Sequence, residues 1–349
     1  MSLGPLMVDL RADSLSAQEK RLLLEPSVGG VILFSRNFTS VESLTNLVSE
    51  IHALRHPRLL VAVDQEGGCV QRFRRGFTQL PAIQGLGKIH DTDSKRACAL
   101  AEITGWLMAA ELRSVGIDFS FAPVLDLNCG VSWVIGERAF HKDPEIVAAL
   151  ATYYIRGMRR AGMQAVGKHF PGHGGVAADS HVDRPVDTRS YQDLLLQDIL
   201  PFRRLINQSI AGIMSAHVIY EKIDEEVATY SKKWLHTVLR EQLDFKGAVF
   251  SDDLSMKAAD CSDEYPVRTR KALQAGCDMV LICNDSEQAV QVAEQLRSQD
   301  SPASQIRLAR MHGGKHSIPY KELRVSDEWQ SAVLQVESYL DQSDSDLLI

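Results

Sequence analysis

The sequence predicts an α/β fold, a (β/α)8 TIM-type barrel in a single domain, and three observations predict it. Eight short apolar runs, rich in β-branched residues, alternate with longer segments of helical periodicity. Polar, chemistry-bearing residues stand at or just after the ends of the runs: Asp64, Lys168 with His169, His217, and Asp252 with Asp253. No Gly-x-Gly-x-x-Gly follows the first run, which weighs against the doubly wound dinucleotide-binding sheet. In a barrel all those polar positions converge on one rim, where such enzymes place their sites.

In chain order the runs cover 6–9, 30–34, 59–64, 119–125, 165–168, 212–216, 248–251 and 279–283. Most are continuously apolar, as parallel strands buried on both faces must be. Between them, Thr39 to Glu42 reads as a capping box ahead of Leu44, Leu47, Val48, Ile51 and Leu54, which share one helix face. Asp143, Pro144 and Glu145 supply a cap, a proline at the first helical position and a first-turn acid, and Gly162 supplies the stop. Ser231 opens a helix that buries Trp234, Leu235, Val238 and Leu239, and Pro201 predicts a break inside 190–206. There is no internal repeat or linker, so residues 1–340 are expected to form the catalytic domain and the acidic 341–349 a polar tail.

Bulk properties narrow the function. A net charge of −7 gives no nucleic-acid footprint, and no apolar run is long enough to span a bilayer. A secretory signal is not expected at the N-terminus. Six cysteines scattered without a CxxC pair favour reduced thiols and a cytoplasmic location over a disulfide framework or a structural zinc site.

KHFPGHGGVAADSH, residues 168–181, carries three histidines. His169 and His173 have the four-residue spacing of a helical zinc pair, but Pro171 and Gly172 lie between them and no central Glu serves as base. The phosphate-loop reading also fails, since no Gly-Lys-Ser/Thr ends the run. What remains is Lys168 and His169 at a strand end, then a glycine-rich loop that carries Asp179 and His181. Asp179 stands where it can accept the Nδ1 hydrogen of His181, leaving Nε2 to exchange protons; the alternative is an incidental Asp-x-His.

Two other segments add candidates. In VAVDQEGGCVQRF, Asp64 and Arg72 read either as a carboxylate and a guanidinium converging on a polyhydroxyl ligand, or as a turn with a solvated arginine. In AVFSDDLSM only one of Asp252 and Asp253 can face a barrel centre, because adjacent strand residues face opposite sides. Such a carboxylate either attacks an anomeric carbon or caps the next helix.

Together VILFSRN, AVDQEGG with VQRF, FAPVLDL, IGERAFH, GKHFPGHG with DSH, AHVIY and FSDDLSM resemble the family 3 glycoside hydrolases. The likeness is to the single-domain bacterial β-N-acetylhexosaminidases of peptidoglycan recycling, and it spans residues 5–283. It implies a metal-free barrel without cofactor, in which Asp252 is the nucleophile and His181 the general acid/base partnered by Asp179. Asp64, Arg72, Arg138, Lys168 and His169 match positions that hold N-acetylglucosamine. The implied substrate is a small molecule, N-acetylglucosaminyl-β-1,4-(1,6-anhydro)-N-acetylmuramic acid with or without its peptide. The implied partners include neither nucleic acid nor membrane, and a monomer is expected. A β-N-acetylglucosaminide phosphorylase on the same scaffold is the alternative. One departure stands out: Cys69 occupies the place of the family arginine.

Overall fold

In the computed structural model, residues 3–178, 180, 183–260, 264–296 and 301–345 are described. Each predicted run forms a strand: β1 (Leu6–Asp9), β2 (Val28–Leu33), β3 (Leu60–Val63), β4 (Phe119–Ser120), β5 (Val166–Phe170), β6 (Gly212–Ser215), β7 (Ala248–Asp253) and β8 (Met279–Ile282). They pair in parallel in the order β4-β3-β2-β1-β8-β7-β6-β5. The last gap closes through the segment after β4. Val124 bridges Lys168, Val166 N–H donates to Ala122 O (2.9 Å), and Leu125 N–H donates to Lys168 O (2.6 Å).

The run 119–125 is therefore strand for only two residues. Pro123 has no N–H to give a ladder, and the Ala122–Pro123 peptide is cis. Phe119, Phe121 and Phe250 meet edge-on or tilted at 5.2–5.6 Å, filling the barrel between β4 and β7.

The helices follow their sequence signals with one correction. Helix Val41–Ala53 is capped by Ser40, whose hydroxyl accepts from Ser43 N–H (3.0 Å); Thr39 donates instead to Asp13. Asp143 caps helix Pro144–Arg160 as expected, and Gly162 follows it at φ +75°. The 190–206 segment breaks into Tyr191–Leu196 and Ile199–Ile206, with Pro201 in the first turn of the second. Helix Lys233–Gln242, wound at π pitch, buries Trp234, Leu235, Val238 and Leu239, and Ser231 Oγ accepts from Trp234 N–H. Helices Ser94–Ser114 and Pro144–Arg160 cross closely because both present glycine. A Cβ on Gly157 would lie 1.9 Å from Glu102 O.

Buried carboxylates fasten the floor of the barrel. Asp118, just before β4, accepts from Val61 N–H, Arg58 and Gly313 N–H, and Asp278, just before β8, accepts from Val249 N–H, Arg240 and Arg307. The final helix, Asp327–Ser345, continues past residue 340 into the segment expected to be tail. Among the described residues no helix is long and apolar enough to cross a membrane, and Cys69, Cys98, Cys129, Cys277 and Cys283 are unpaired.

Candidate active site

At the carboxyl ends of the strands lies a cavity of about 210 Å³. Its walls include Asp64, Arg72, Arg138, Lys168, His169 and Asp252, six of the eight residues singled out from the sequence. The other two, Asp179 and His181, lie outside the described residues. Ser180, which stands between them in the chain, lines the cavity.

A charge network forms one wall. Lys168 is buried at the end of β5, and its ammonium meets Asp64 Oδ1 at 2.7 Å and Glu66 Oε1 at 2.6 Å. Arg138 binds Glu66 with a two-pronged fork, both N···O distances being 2.8 Å. Burial alone would raise the Glu66 carboxyl, but Arg138 and Lys168 outweigh it and hold Glu66 well below the usual carboxylate range. Asp64 and Glu66, in turn, hold Lys168 above its ordinary value despite its burial.

Arg72 completes the wall. Its guanidinium lies 3.6 Å from Asp64 and stands over the Phe34 ring at 5.4 Å. The turn that carries it is fixed by Gln65, whose Oε1 accepts from Arg72 and Phe73 N–H (2.9 and 3.1 Å). Arg72 is thus held against Asp64 and Phe34 and is not simply solvated.

Asp126 organises the second wall. It is fully buried and accepts from His169 N–H, from the His169 ring at 2.7 Å, and from His173 N–H at 2.7 Å. An Asp126 carboxylate on Nδ1–H leaves His169 Nε2 to serve the cavity. The Lys168–His169 and Phe170–Pro171 peptides are both cis. His173 ties down the glycine loop: its Nε2 lies 3.1 Å from Ser180 Oγ, and Ala258 N–H donates to Ser180 O (3.0 Å), so Ser180 is pinned from two sides. Tyr220 donates its hydroxyl hydrogen to Gly172 O, and Arg189, paired with Asp187 and Asp198, packs against Gly175.

The two adjacent acids of β7 diverge as strand geometry requires. Asp253 caps no helix, the next one starting after Met256, but turns onto the backbone: it accepts from Ser255 N–H and Cys283 N–H (both 3.0 Å), and burial pushes it up to about 6. Asp252 faces the charged wall and accepts from Asp253 N–H (2.8 Å). Burial would raise Asp252, but His169, His217, that N–H and Lys168 together hold it below the usual range, so it is an ionised carboxylate at neutral pH. His217 is buried with Nε2 3.0 Å from Asp253 O and Nδ1 2.9 Å from Thr229 Oγ1, and burial lowers its basicity.

Glu66 and Asp126 were missed in the sequence. Nothing local marks an acid in a Gly-rich turn or one after an apolar run, and their partners Arg138 and His169 lie 72 and 43 residues away. Cys69 is largely exposed outside this wall, where partial desolvation and the Glu137 carboxylate push its thiol up.

Forked donors, carboxylate acceptors and one ionised carboxylate thus share a small cavity at the carboxyl ends of the strands. The glycosyl hydrolase family 3 N-terminal domain matches residues 6–311. A beta-hexosaminidase of Thioalkalivibrio sulfidiphilus is 59% identical over 332 residues, covering 95% of each chain, and one of Alkalilimnicola ehrlichii is 54% identical over 336 residues, covering 96% of each. The crystal structure of NagZ from Neisseria gonorrhoeae in complex with N-trifluoroacetyl-D-glucosamine superposes with a TM-score of 0.93 at 41% identity, covering 97% of this chain and 98% of that one. The (β/α)8 barrel, its cavity and these relatives together show that the chain belongs to glycoside hydrolase family 3.

Proposed function

We propose that this glycoside hydrolase is a retaining exo-β-N-acetylglucosaminidase that works by double displacement. The observation that carries the reading is Asp252, a half-buried carboxylate kept ionised in a cavity walled by Asp64, Arg72, Arg138, Lys168 and His169. Forked donors beside carboxylate acceptors suit sugar hydroxyls. The relatives named beta-hexosaminidase, and the N-acylglucosamine held by the Neisseria protein, support N-acetylglucosamine as the bound sugar.

In the first step an Asp252 oxygen bonds to C1 as the C1–O4 bond breaks, and His181 gives its proton to the leaving O4. In the second, His181 takes a proton from water, the water oxygen bonds to C1, and Asp252 departs as a carboxylate. Asp179 orients His181. A neutral histidine adds no like charge beside Asp252 while the glycosyl-enzyme hydrolyses, and an imidazole can give a proton in the first step and take one in the second. The anchored Ser180, next in the chain to both residues, supports placing this pair at the cavity.

The substrate proposed is N-acetylglucosaminyl-β-1,4-(1,6-anhydro)-N-acetylmuramic acid and its peptide forms, cleaved by a monomer in peptidoglycan recycling. The buried, unpaired thiols of Cys277 and Cys283 suit the reducing cytoplasm. The relatives reported above carry a hydrolase name, and nothing favours the phosphorylase alternative.

A fluorinated N-acetylglucosaminyl donor tests the assignment. It should label the peptide containing Asp252 in the wild type and leave Asp252→Asn unlabelled. His181→Ala should slow poor leaving groups far more than good ones. Label elsewhere, or equal losses on both leaving groups, would overturn the roles given.

A further inference from the structure

At about 210 Å³ the cavity is smaller than the roughly 300–1,000 Å³ of a typical ligand pocket. On the reading proposed above it takes the N-acetylglucosamine ring, which leaves the rim for a leaving group of sugar size.

Beside that rim stands Trp133. Its exposure of 94% makes it the most exposed large apolar side chain among the described residues, whereas Trp106, Trp234 and Trp329 are buried. Indole is a poor choice for open solvent unless something covers it. The next two residues, Val134 and Ile135, line the cavity itself.

The loop is tied on both sides of the indole. Asn128 Oδ1 accepts from Gly130 N–H, Ser132 O accepts from Gly136 N–H, and Val134 O accepts from Arg138, whose fork grips Glu66 in the charged wall. Trp133 is thus offered from a backbone anchored to the site.

We infer that Trp133 is a specificity-determining residue, the stacking platform for a pyranose leaving group. An aromatic face against the C–H face of a sugar ring is sequence-cheap, tolerant of substituents and matched to an apolar surface beside a polar cavity. The inference rests on the N-acetylglucosaminidase reading and names the part of the substrate that lies outside the cavity.

Two substrates separate the inference from the reading beneath it. N,N′-diacetylchitobiose has a leaving sugar, and N-acetyl-β-glucosaminyl fluoride has none. For Trp133→Ala the ratio of kcat/KM on the disaccharide to kcat/KM on the fluoride should fall roughly five- to tenfold from wild type, with Trp133→Phe between the two. An unchanged ratio, with wild type active on both substrates, would overturn the Trp133 role alone. Inactivity of wild type on both would overturn the enzymatic reading and this inference with it.

A binding readout independent of turnover follows from Trp133 being the exposed indole. In Asp252→Asn, the disaccharide should protect tryptophan fluorescence from acrylamide, and N-acetylglucosamine alone should not. Protection that persists after a further Trp133→Phe substitution would also overturn the assignment.

Discussion

Glu66 is the residue whose removal most sharply tests how the site is built. Glu66→Gln keeps the shape but replaces a carboxylate that accepts three charged N–H groups, two from Arg138 and one from Lys168. The amide has one acceptor oxygen and turns an NH2 toward a cation. Breaking a buried ion pair by removing one partner costs about 3–5 kcal/mol. At about 2.1 cal/mol/K of unfolding entropy per residue, a chain of this length loses roughly 4–7 °C in Tm for that cost.

The sign with pH is fixed by the depressed folded value of Glu66. The carboxylate's contribution is full above the unfolded value of about 4.3 and is lost as the pH falls below it, so the gap between variant and wild type narrows in acid. Differential scanning calorimetry at pH 7 and pH 4 measures both. KM for an aryl β-N-acetylglucosaminide should rise as well, because Arg138 loses its clamp. A Tm within a degree of wild type at pH 7, with KM unchanged, would refute the reasoning.

Two further outcomes are expected. Gly174→Ala puts a Cβ 1.9 Å from Leu127 O, a backbone atom that cannot swing aside, so the start of the glycine loop must shift. Such overpacking costs about 1–3 kcal/mol, and kcat should fall at least about tenfold with the fold retained by circular dichroism; a wild-type kcat would show that the loop carries no catalytic group. Asp252 is held below the usual carboxylate range, so it stays ionised until the pH falls below that range. The acid limb of kcat/KM should therefore lie below about pH 3.9 while the enzyme stays folded, and a limb above pH 5 assigned to the nucleophile would contradict this.

Much of the fold was legible because buried parallel strands leave continuous apolar runs, and all eight appear where those runs lie. The errors are local. Run 119–125 was apolar enough for a full strand, yet Pro123 cannot join a ladder, and Ser40 took the cap read at Thr39 because neighbouring hydroxyls offer the helix the same acceptor. The charged wall was visible as residue types at strand ends, and the resemblance ordered them. Its clamps were not visible. Glu66 is an unremarkable acid until Arg138 and Lys168 close on it, and Asp126 gains meaning only when the barrel closes β5 against the segment after β4.

The stereochemistry of the first-formed sugar tests the central claim most directly. When an aryl β-N-acetylglucosaminide is hydrolysed within the NMR tube, a covalent intermediate on Asp252 released by water requires two inversions at C1. The first N-acetylglucosamine to appear should be the β anomer, with the α anomer growing in only by mutarotation. An α anomer appearing first would mean a single inversion, and Asp252 would not be the nucleophile.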